Sequence, residues 1–390
     1  MSTMTLSPNH TTTRTLPVYI YAVVFASFCI TVGLIWDISW HTSIGRDGLF
    51  SPPHLATYIG AITSGLFSGY YVLRLTFAGR TEEKQQSINF WKVFYGSLGA
   101  LFCIWGAFAM ITSAPFDDWW HNTFGLDVQI LSPPHTVLLL GMITIQFGAM
   151  VSVIALQNRK SAVNTYSANA ISWCFILSSG FLLVMLFTIA SEYLGRYAMH
   201  KTLFYQVASG LFPLFLVAIS RASTSKWGAT RMAAIYTIVM AAMVWILPIF
   251  HAEPKLGPVF NHITHYQAFH FPLLLIFPAI AIDWLNQRLQ NKIFFIKALA
   301  LGVAFTLILF VVQWPFGDFL TTEYARNWFF GTTSWYFGSD PAFQYRYAFA
   351  PYNVEGGTVL ITGLTIAVVL SILSSWLGLT WGRWMKSVKR

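Results

Sequence analysis

Aspartate and histidine recur at a fixed spacing in two segments of this chain. One reads DISWHTSIGRDGLFSPPH, at residues 37–54, and the other reads DDWWHNTFGLDVQILSPPH, at residues 117–135. Both follow D-x3-H-x3-G-x-D and end in S-P-P-H, with one extra residue before the serine of the second. Neutral imidazoles suit copper, zinc, iron and nickel, and two imidazoles with one carboxylate leave coordination positions open. The residue types therefore predict two metal sites, the first formed by Asp37, His41 and His54 and the second by Asp117, His121 and His135.

The loop between the ligands carries a glycine and a further aspartate in each copy. We expect Gly45 and Gly125 to let the loop turn back, and Asp47 and Asp127 to orient the ligand histidines by hydrogen bonding. A loop cap or an ordinary salt bridge is the alternative role for these aspartates. For any single histidine the alternative is a polar residue at a wet membrane boundary. The same residue types at nearly the same spacing in two copies favour metal binding.

Two helices joined by a short loop are needed to bring each set of ligands together. An aspartate and a histidine four residues apart share one helix face, provided that the first helix continues beyond its apolar span. Serine is a good N-cap and proline is tolerated in the first helical turn, so S-P-P-H is typical of a helix start. His54 and His135 are therefore predicted in the first turns of the returning helices.

The composition indicates that these helices lie in a membrane. Of the 390 residues, 56% are hydrophobic and only 9% are charged, whereas a soluble domain has roughly 25% charged residues. The apolar residues fall in runs of about 20, the length that crosses a bilayer as a helix. We predict an all-α polytopic membrane protein with about ten transmembrane helices and repeated helical hairpins. The predicted spans are 17–36, 53–77, 93–113, 133–157, 169–190, 203–220, 232–250, 267–286, 294–313 and 356–381.

These spans divide the chain into five parts. A polar tail, 1–16, precedes the two-hairpin repeat that carries the metal motifs, 17–157. A second membrane half with histidine-rich outer loops, 158–313, follows. The aromatic extracytoplasmic loop 314–355 is expected to fold at the interface, because Trp and Tyr favour the headgroup level. The last helix and a basic tail occupy 356–390.

The charge distribution predicts the orientation of the chain. With both termini in the cytoplasm, the inner loops and adjoining span ends hold 17 of the 23 Lys and Arg residues, as the positive-inside rule requires. Nine of the ten histidines then lie on the outer side, which places the metal sites at the periplasm or exterior, in a bacterial inner membrane. The basic residues are spread over short loops, so the lipid bilayer is expected as a partner and nucleic acid is not.

The second half of the chain supplies further candidate ligands without a diagnostic spacing. His262 and His265 are three residues apart and could share a helix face. His270 lies deepest in its predicted span. Each is as consistent with a polar interface residue as with a metal ligand. Asp283, near the inner end of its span, is predicted to cap or to reach the interface. The candidate additional ligands are Glu192, His200, His251, His262, His265 and His270.

The paired motif resembles the metal-site segments of the C subunit of copper membrane monooxygenases, the particulate methane and ammonia monooxygenases. The resemblance covers about residues 20–150, and it includes the RD and the Phe before the Pro-x-His in 37–54. It implies two copper sites, one at Asp37, His41 and His54 and the other at His121 and His135 with Asp117, where the family usually has Asn. It also implies partner membrane subunits and a cupredoxin-like subunit, a domain that this chain lacks.

Two functions follow as expectations. An enzyme of this kind would oxidise a small apolar substrate with O2 at the periplasmic side, using copper, although zinc and iron suit the same ligands. The alternative is a membrane protein that transports or delivers copper or another metal without oxidase activity. Methionine ladders, which are common in soft copper paths, are absent. A chain of intramembrane carboxylates for proton coupling is also missing, which argues against a secondary transporter. Haem held by two axial histidines needs them to face each other inside a bundle, whereas these histidines cluster at one edge. A purely structural scaffold leaves the repeated ligands unexplained.

Overall fold

The computed structural model describes residues 15–45, 48–125, 132–159, 165–255, 259, 262–332 and 342–390, and the chain is mostly helical there. The polar tail that was predicted for 1–16 lies almost entirely outside these residues. A two-stranded antiparallel hairpin, β1 (Ile88–Phe90) and β2 (Phe94–Gly96), lies between helices α3 and α4. The helices are α1 (Val18–Ser43), α2 (Pro52–Ala78), α3 (Thr81–Gln85), α4 (Leu98–Phe124), α5 (Pro133–Gln157), α6 (Ala168–Ile189), α7 (Thr202–Ala222), α8 (Gly228–Ile246), α9 (Ile276–Arg288), α10 (Phe294–Thr321) and α11 (Gly357–Ser387).

Eight helices within the described residues are long and apolar enough to cross a membrane. They are α1, α4, α5, α6, α7, α8, α10 and α11, where α8 is extended by the 3-10 turn Leu247–Ile249. The predicted helical class is therefore confirmed. Helix α2 has the predicted position and length, but polar and small residues interrupt it and it is not in this set.

The predicted span 267–286 differs from the structure. Only its second part is helical, as the 13-residue α9. Pro272 has no backbone N–H and disfavours the helical conformation in the residue before it. Side chains from other helices satisfy the backbone that this non-helical stretch leaves unpaired. Leu273 N–H donates to the Tyr236 hydroxyl at 3.0 Å, and Leu274 N–H donates to Gln313 Oε1 at 3.0 Å. Such a segment is tolerated at membrane depth only where protein surrounds it.

Three helices are longer at the outer end than their predicted spans, and this lengthening positions the candidate ligands. Helix α1 runs on to Ser43 and α4 runs on to Phe124, so both continue through their D-x3-H segments. Helix α10 continues through Pro315 to Thr321, into the segment that was predicted as a loop. The helical extension of α1 and α4 confirms the condition on which the shared-face prediction rests.

The helix ends form two faces of the bundle. On one face, Asn158 Nδ2 after α5 donates to the carbonyls of Met385 and Val388 at the end of α11, at 2.7 and 2.8 Å. We call this end, where α5, α7 and α11 finish, the basic face. At the opposite end, where α1 and α4 finish and α2 and α5 begin, Lys255 N–H donates to the Ile44 carbonyl at 2.9 Å. We call this end the histidine face.

Glycines allow α4 and α5 to approach each other closely. A Cβ on Gly106 would lie 2.7 Å from the Gly141 carbonyl oxygen, and one on Gly141 would lie 2.9 Å from the Gly106 carbonyl oxygen. Gly99 and Gly148 repeat this arrangement seven residues away on the two helices. Small residues that permit close backbone approach are the usual device for packing helices in membranes. The second hairpin is therefore held together by its glycines.

Substitution of one of these glycines should push α4 and α5 apart. We expect Gly106→Ala to lower the free energy of unfolding by roughly 1–3 kcal/mol, because the new Cβ meets backbone rather than a flexible side chain. The matched control is Gly69→Ala in α2, where a Cβ has no atom of the described residues within 4 Å. The measurement is thermal unfolding of the detergent-purified protein. Equal melting temperatures for the two variants would contradict this packing.

Candidate metal centre

The second hairpin brings Asp117, His121 and His135 together at the histidine face. Asp117 and His121 lie one turn apart near the end of α4, and His135 lies in the first turn of α5. The Nε2 atoms of His121 and His135 are 3.5 and 3.3 Å from the same oxygen, Asp117 Oδ1. One ligand atom from each of the three residues lies within 4.8 Å of the other two. These three residues, called the second triad below, form a compact set of metal donors.

The first hairpin repeats the arrangement with a looser geometry. His54 Nε2 is 3.3 Å from Asp37 Oδ1, whereas His41 Nε2 is 3.8 Å from the other oxygen, Asp37 Oδ2. The His41 side chain is also half exposed, at 49%. We call these residues the first triad. The two imidazoles thus approach different carboxylate oxygens here, while those of the second triad share one.

A glycine carbonyl orients one histidine of each triad. His121 Nδ1 is 3.2 Å from the Gly125 carbonyl oxygen, and His41 Nδ1 is 3.1 Å from the Gly45 carbonyl oxygen. A carbonyl oxygen can only accept, so Nδ1 must be the protonated nitrogen in both rings. In a neutral imidazole the lone pair then resides on Nε2, the atom that faces the aspartate. This is the tautomer that a metal-binding histidine needs, with its other nitrogen fixed by a hydrogen bond.

The buried aspartate oxygens, like the histidine tautomers, indicate a cation between the three side chains of each triad. Asp37 Oδ1 and Asp117 Oδ1 are both buried, and neither accepts a hydrogen bond from any residue that the structure describes. Each oxygen instead faces imidazole nitrogen. A lone pair opposite a carboxylate oxygen is repulsive unless a cation lies between them, either a proton on the ring or a metal ion shared by the three donors. A buried charge is stable only when paired or when it coordinates a metal.

The glycines are required by the backbone at both positions. Gly45 has φ of 93° and Gly125 has φ of 90°, a region that residues with a Cβ rarely adopt. Helix α4 ends at Phe124, and the following Gly125 caps it by donating its N–H to the His121 carbonyl at 3.0 Å. The same glycine thus ends the helix and presents its own carbonyl to the histidine ring.

A side chain at Gly125 should therefore weaken metal binding without touching a ligand. We expect Gly125→Ala to reduce the metal affinity of the second triad by about 10- to 100-fold, the usual effect of disturbing a group that orients a ligand. Gly357→Ala is the matched control, because Gly357 also has positive φ, at 58°, and no described atom lies within 4 Å of its Cβ position. The measurement is a competition titration with a metal-binding dye. Equal affinities in the two variants would contradict the role of the Gly125 carbonyl.

The S-P-P-H segments begin the returning helices as predicted. Ser132 is the N-cap of α5 and its Oγ accepts from His135 N–H at 3.4 Å. Ser51 is the N-cap of α2, but its side chain makes no capping hydrogen bond. Both helices have proline in their first two positions. The serine side chain therefore supports the ligand-bearing turn in the second hairpin but not in the first.

The structure pairs His200 with another element instead of with either triad. Its ring is buried and stacks between Trp314 and Phe349, with ring centroids at 4.2 and 3.9 Å. His200 Nε2 donates to the Trp314 carbonyl at 3.1 Å and lies 3.4 Å from Asp318 Oδ1. Asp318 was not predicted from the sequence. Asp318 lies next to His200 because α10 extends into the segment that was predicted as a loop.

The remaining histidine-rich segment forms a small exposed cluster. His251 and His265 face each other in an antiparallel bridge, with ring centroids 6.1 Å apart. His251 Nε2 contacts Glu253 Oε1 at 3.3 Å, with both side chains about two-thirds exposed. His265 Nδ1 lies 2.9 Å from the Thr264 hydroxyl. His262 is exposed as well.

Glu192 and His270 occupy separate positions. Glu192 is exposed. The His270 ring packs beside Phe269 and Phe187, with centroids at 4.9 and 6.5 Å, and beside Gly195.

Asp47 and Asp127, which were predicted to orient the ligand histidines, lie outside the described residues. The structure thus shows a glycine carbonyl in the orienting role, a contact that residue types alone do not reveal.

Comparisons with known proteins identify no relative. No family model matches the chain, and neither the curated proteins nor the solved structures include a significant match.

Proposed function

We propose that this chain is an integral membrane metalloprotein whose two triads each hold one transition-metal ion, copper by preference. The observation that carries the proposal is the convergence of two imidazole Nε2 atoms on Asp117 Oδ1 within 3.5 Å. Copper is favoured by the imidazole ligands and by the resemblance of the paired motif to copper membrane monooxygenases. Iron and zinc accept the same donors, so the metal analysis below measures all three.

The residues present fit a metal ion in both triads. The buried Oδ1 atoms of Asp37 and Asp117 accept no hydrogen bond from described residues, and the Nε2 atoms of His54 and His121 lie 3.3 and 3.5 Å from them. The Gly45 and Gly125 carbonyls hold the rings of His41 and His121 with Nε2 toward the carboxylates. Two imidazoles and one carboxylate would fill three positions and leave others open to an exogenous ligand. The second triad is the better preorganised of the two, because its donors are already gathered around one oxygen.

The proposed orientation places the histidine face at the periplasmic side of a bacterial inner membrane. The nine outer histidines and the basic residues of the opposite loops support this placement through the positive-inside rule. In this proposal α2 and the short α9 also cross the membrane, and both present apolar side chains to the lipid, among them Leu66, Tyr70 and Trp284. Both termini are cytoplasmic in this proposal.

The proposed activity is oxidation of a small apolar substrate with O2 next to the second triad. Bound copper would supply the redox chemistry. The chain's own contribution is to hold the ion with Asp117, His121 and His135 and to surround it with apolar surface. The aromatic side chains of α4 provide that surface, with Trp120 and Phe124 at a centroid distance of 4.5 Å and Phe116 stacked on Trp119 at 6.0 Å. Membrane or cupredoxin-like subunits are the proposed partners.

Metal delivery is the second candidate function. It is favoured by the first triad, whose His41 is half exposed and 3.8 Å from its carboxylate, a geometry from which an ion can be passed on. A protein of this kind would bind copper reversibly at the outer face and would consume no O2.

Two assays separate these functions. Membranes that contain the copper-loaded protein are supplied with a reductant and short-chain hydrocarbons, and O2 uptake is recorded. Substrate-dependent uptake that is absent in His121→Ala supports the oxidase. Copper accumulation by proteoliposomes, without such O2 uptake, supports transport or delivery. Neither O2 uptake nor copper movement would contradict both functions while leaving metal binding to be judged by metal analysis.

A further inference from the structure

A polar cavity of about 380 Å³ opens at the basic face, at the opposite end of the bundle from the triads. It lies where α7 ends, α8 and α10 begin, and α9 and α11 end. This volume falls within the ~300–1,000 Å³ range of small-molecule sites. Four basic side chains line it, and no aspartate or glutamate does so among the described residues. The four are Arg221, Lys226, Lys297 and Lys386.

The positive charges of this cavity are held close together. Arg221 lies near enough to Arg383 and Lys386 for their charges to repel, and Lys297 is within reach of Arg221 and Arg383. Close packing causes this crowding, since a Cβ on Gly382 of α11 would lie 2.9 Å from the Arg221 Cβ. Like charges held together are destabilising on their own, so the arrangement favours an anion between them.

Hydrogen-bond donors of the basic side chains in the cavity are also available to a ligand. Arg221 Nε is buried and donates to no acceptor among the described residues. Among the described residues, Lys297 Nζ donates to the Gln290 carbonyl, at 2.6 Å, and its ammonium has further N–H groups for a ligand. Ser223 and Ser225 add hydroxyl groups to the lining.

Asp283, the acidic residue of α9, does not neutralise the positive charge of the cavity, because its carboxylate already accepts hydrogen bonds from the start of α8. Asp283 is fully buried, and its carboxylate accepts from Ala229 N–H, Thr230 N–H and the Thr230 hydroxyl at 2.7–3.2 Å. It therefore compensates the positive start of α8, where backbone N–H groups lack partners within the helix. The four lining cations remain available for an external anion.

We propose that this cavity binds a phosphate group, supplied by the headgroup of an anionic phospholipid. Arginine and lysine are the residues that recognise phosphate, and basic pockets between helices on the cytoplasmic side bind anionic headgroups. The cavity lies at the helix ends, which the orientation proposed above places at the level of the cytoplasmic headgroups, and this position favours a lipid over a free ion. The proposal is independent of the metal sites, because α7, α8, α9 and α10 contribute no triad residue.

The test compares two sources of the same phosphate chemistry. Native mass spectrometry counts phosphatidylglycerol and phosphatidylcholine molecules of equal chain length that the purified protein retains. Equilibrium binding of radiolabelled inorganic phosphate to the delipidated protein forms the second arm. We expect preferential retention of phosphatidylglycerol, and a loss of about 10- to 30-fold in affinity in Arg221→Gln/Lys386→Gln, since each basic residue contributes about 1 kcal/mol toward an anionic lipid.

The matched control removes the same charges outside the cavity. Arg288→Gln/Lys389→Gln lies on the same face, and neither residue lines the cavity. Retention lost only in the cavity variant supports the lipid site, and saturable inorganic phosphate binding lost in that variant supports the phosphate site with a soluble source. Equal losses in both variants, or no binding of either probe, would overturn the proposal. Lys297→Gln repeats the comparison if the double variant fails to fold.

Discussion

Asp117→Asn is expected to remove one metal ion per chain from the purified protein. The variant keeps the size of the side chain but loses the charge on the oxygen that both His121 Nε2 and His135 Nε2 approach. Disturbing a group that merely orients a ligand typically reduces metal affinity 10- to 100-fold, so loss of a charged ligand should reduce it by at least about 100-fold. Metal analysis of the variant after copper loading and gel filtration measures the effect.

The neighbouring aspartate provides a control of the same type on the same helix. Asp118 accepts a hydrogen bond from Asn122 Nδ2 at 3.3 Å and belongs to neither triad. Asp118→Asn should retain the full metal content. If both variants lose the same amount of metal, or neither loses any, the ion is held elsewhere, for example by the exposed pair His251 and His265.

Asp283→Ala is expected to lower the free energy of unfolding by about 3–5 kcal/mol. The side chain is completely buried and accepts three hydrogen bonds from the first residues of α8. Its removal leaves two backbone donors and the Thr230 hydroxyl without an acceptor, each at roughly 1–3 kcal/mol, with partial relief by relaxation. Thermal unfolding of the purified protein is the measurement.

Glu253→Ala is the comparison for an exposed acidic residue. Glu253 pairs with His251 at the surface, and such pairs contribute about 0–1 kcal/mol. Asp283→Asn retains one carbonyl acceptor and should fall between the two. An Asp283→Ala variant as stable as Glu253→Ala would contradict the assignment of Asp283 as the cap of α8. The metal content of the folded fraction should be the same in all three proteins.

The helices were predictable where hydrophobic length alone determined them. Helix α5 begins and ends at the predicted residues, 133 and 157, because S-P-P-H starts it and apolar residues continue to its end. The ends of α1, α4 and α10 were predicted too early because polar and aromatic residues outside the apolar core are still helical. The 267–286 segment was predicted as a full span, although Pro272 interrupts it and Tyr236 and Gln313 satisfy its backbone.

The ligand sets were predictable from spacing, and their fine geometry was not. Four-residue spacing and a helix start are local properties, so the sequence places Asp37 with His41 and Asp117 with His121. The acceptor of each histidine Nδ1 is a backbone carbonyl, which carries no residue signature; only the glycine in D-x3-H-x3-G indicates it. Asp318 beside His200 depends on packing between α10 and the segment before α7, which no local pattern reveals.

Metal content of the purified wild-type protein and of the double variant His41→Ala/His121→Ala tests the central claim most directly. Copper, iron and zinc are quantified per chain after identical loading and washing, with electron paramagnetic resonance to detect nitrogen ligands on copper. The expected result is one ion per triad in the wild type and none in the double variant. No bound transition metal in the wild type, or the same metal content in both proteins, would contradict the assignment of the two triads as metal sites.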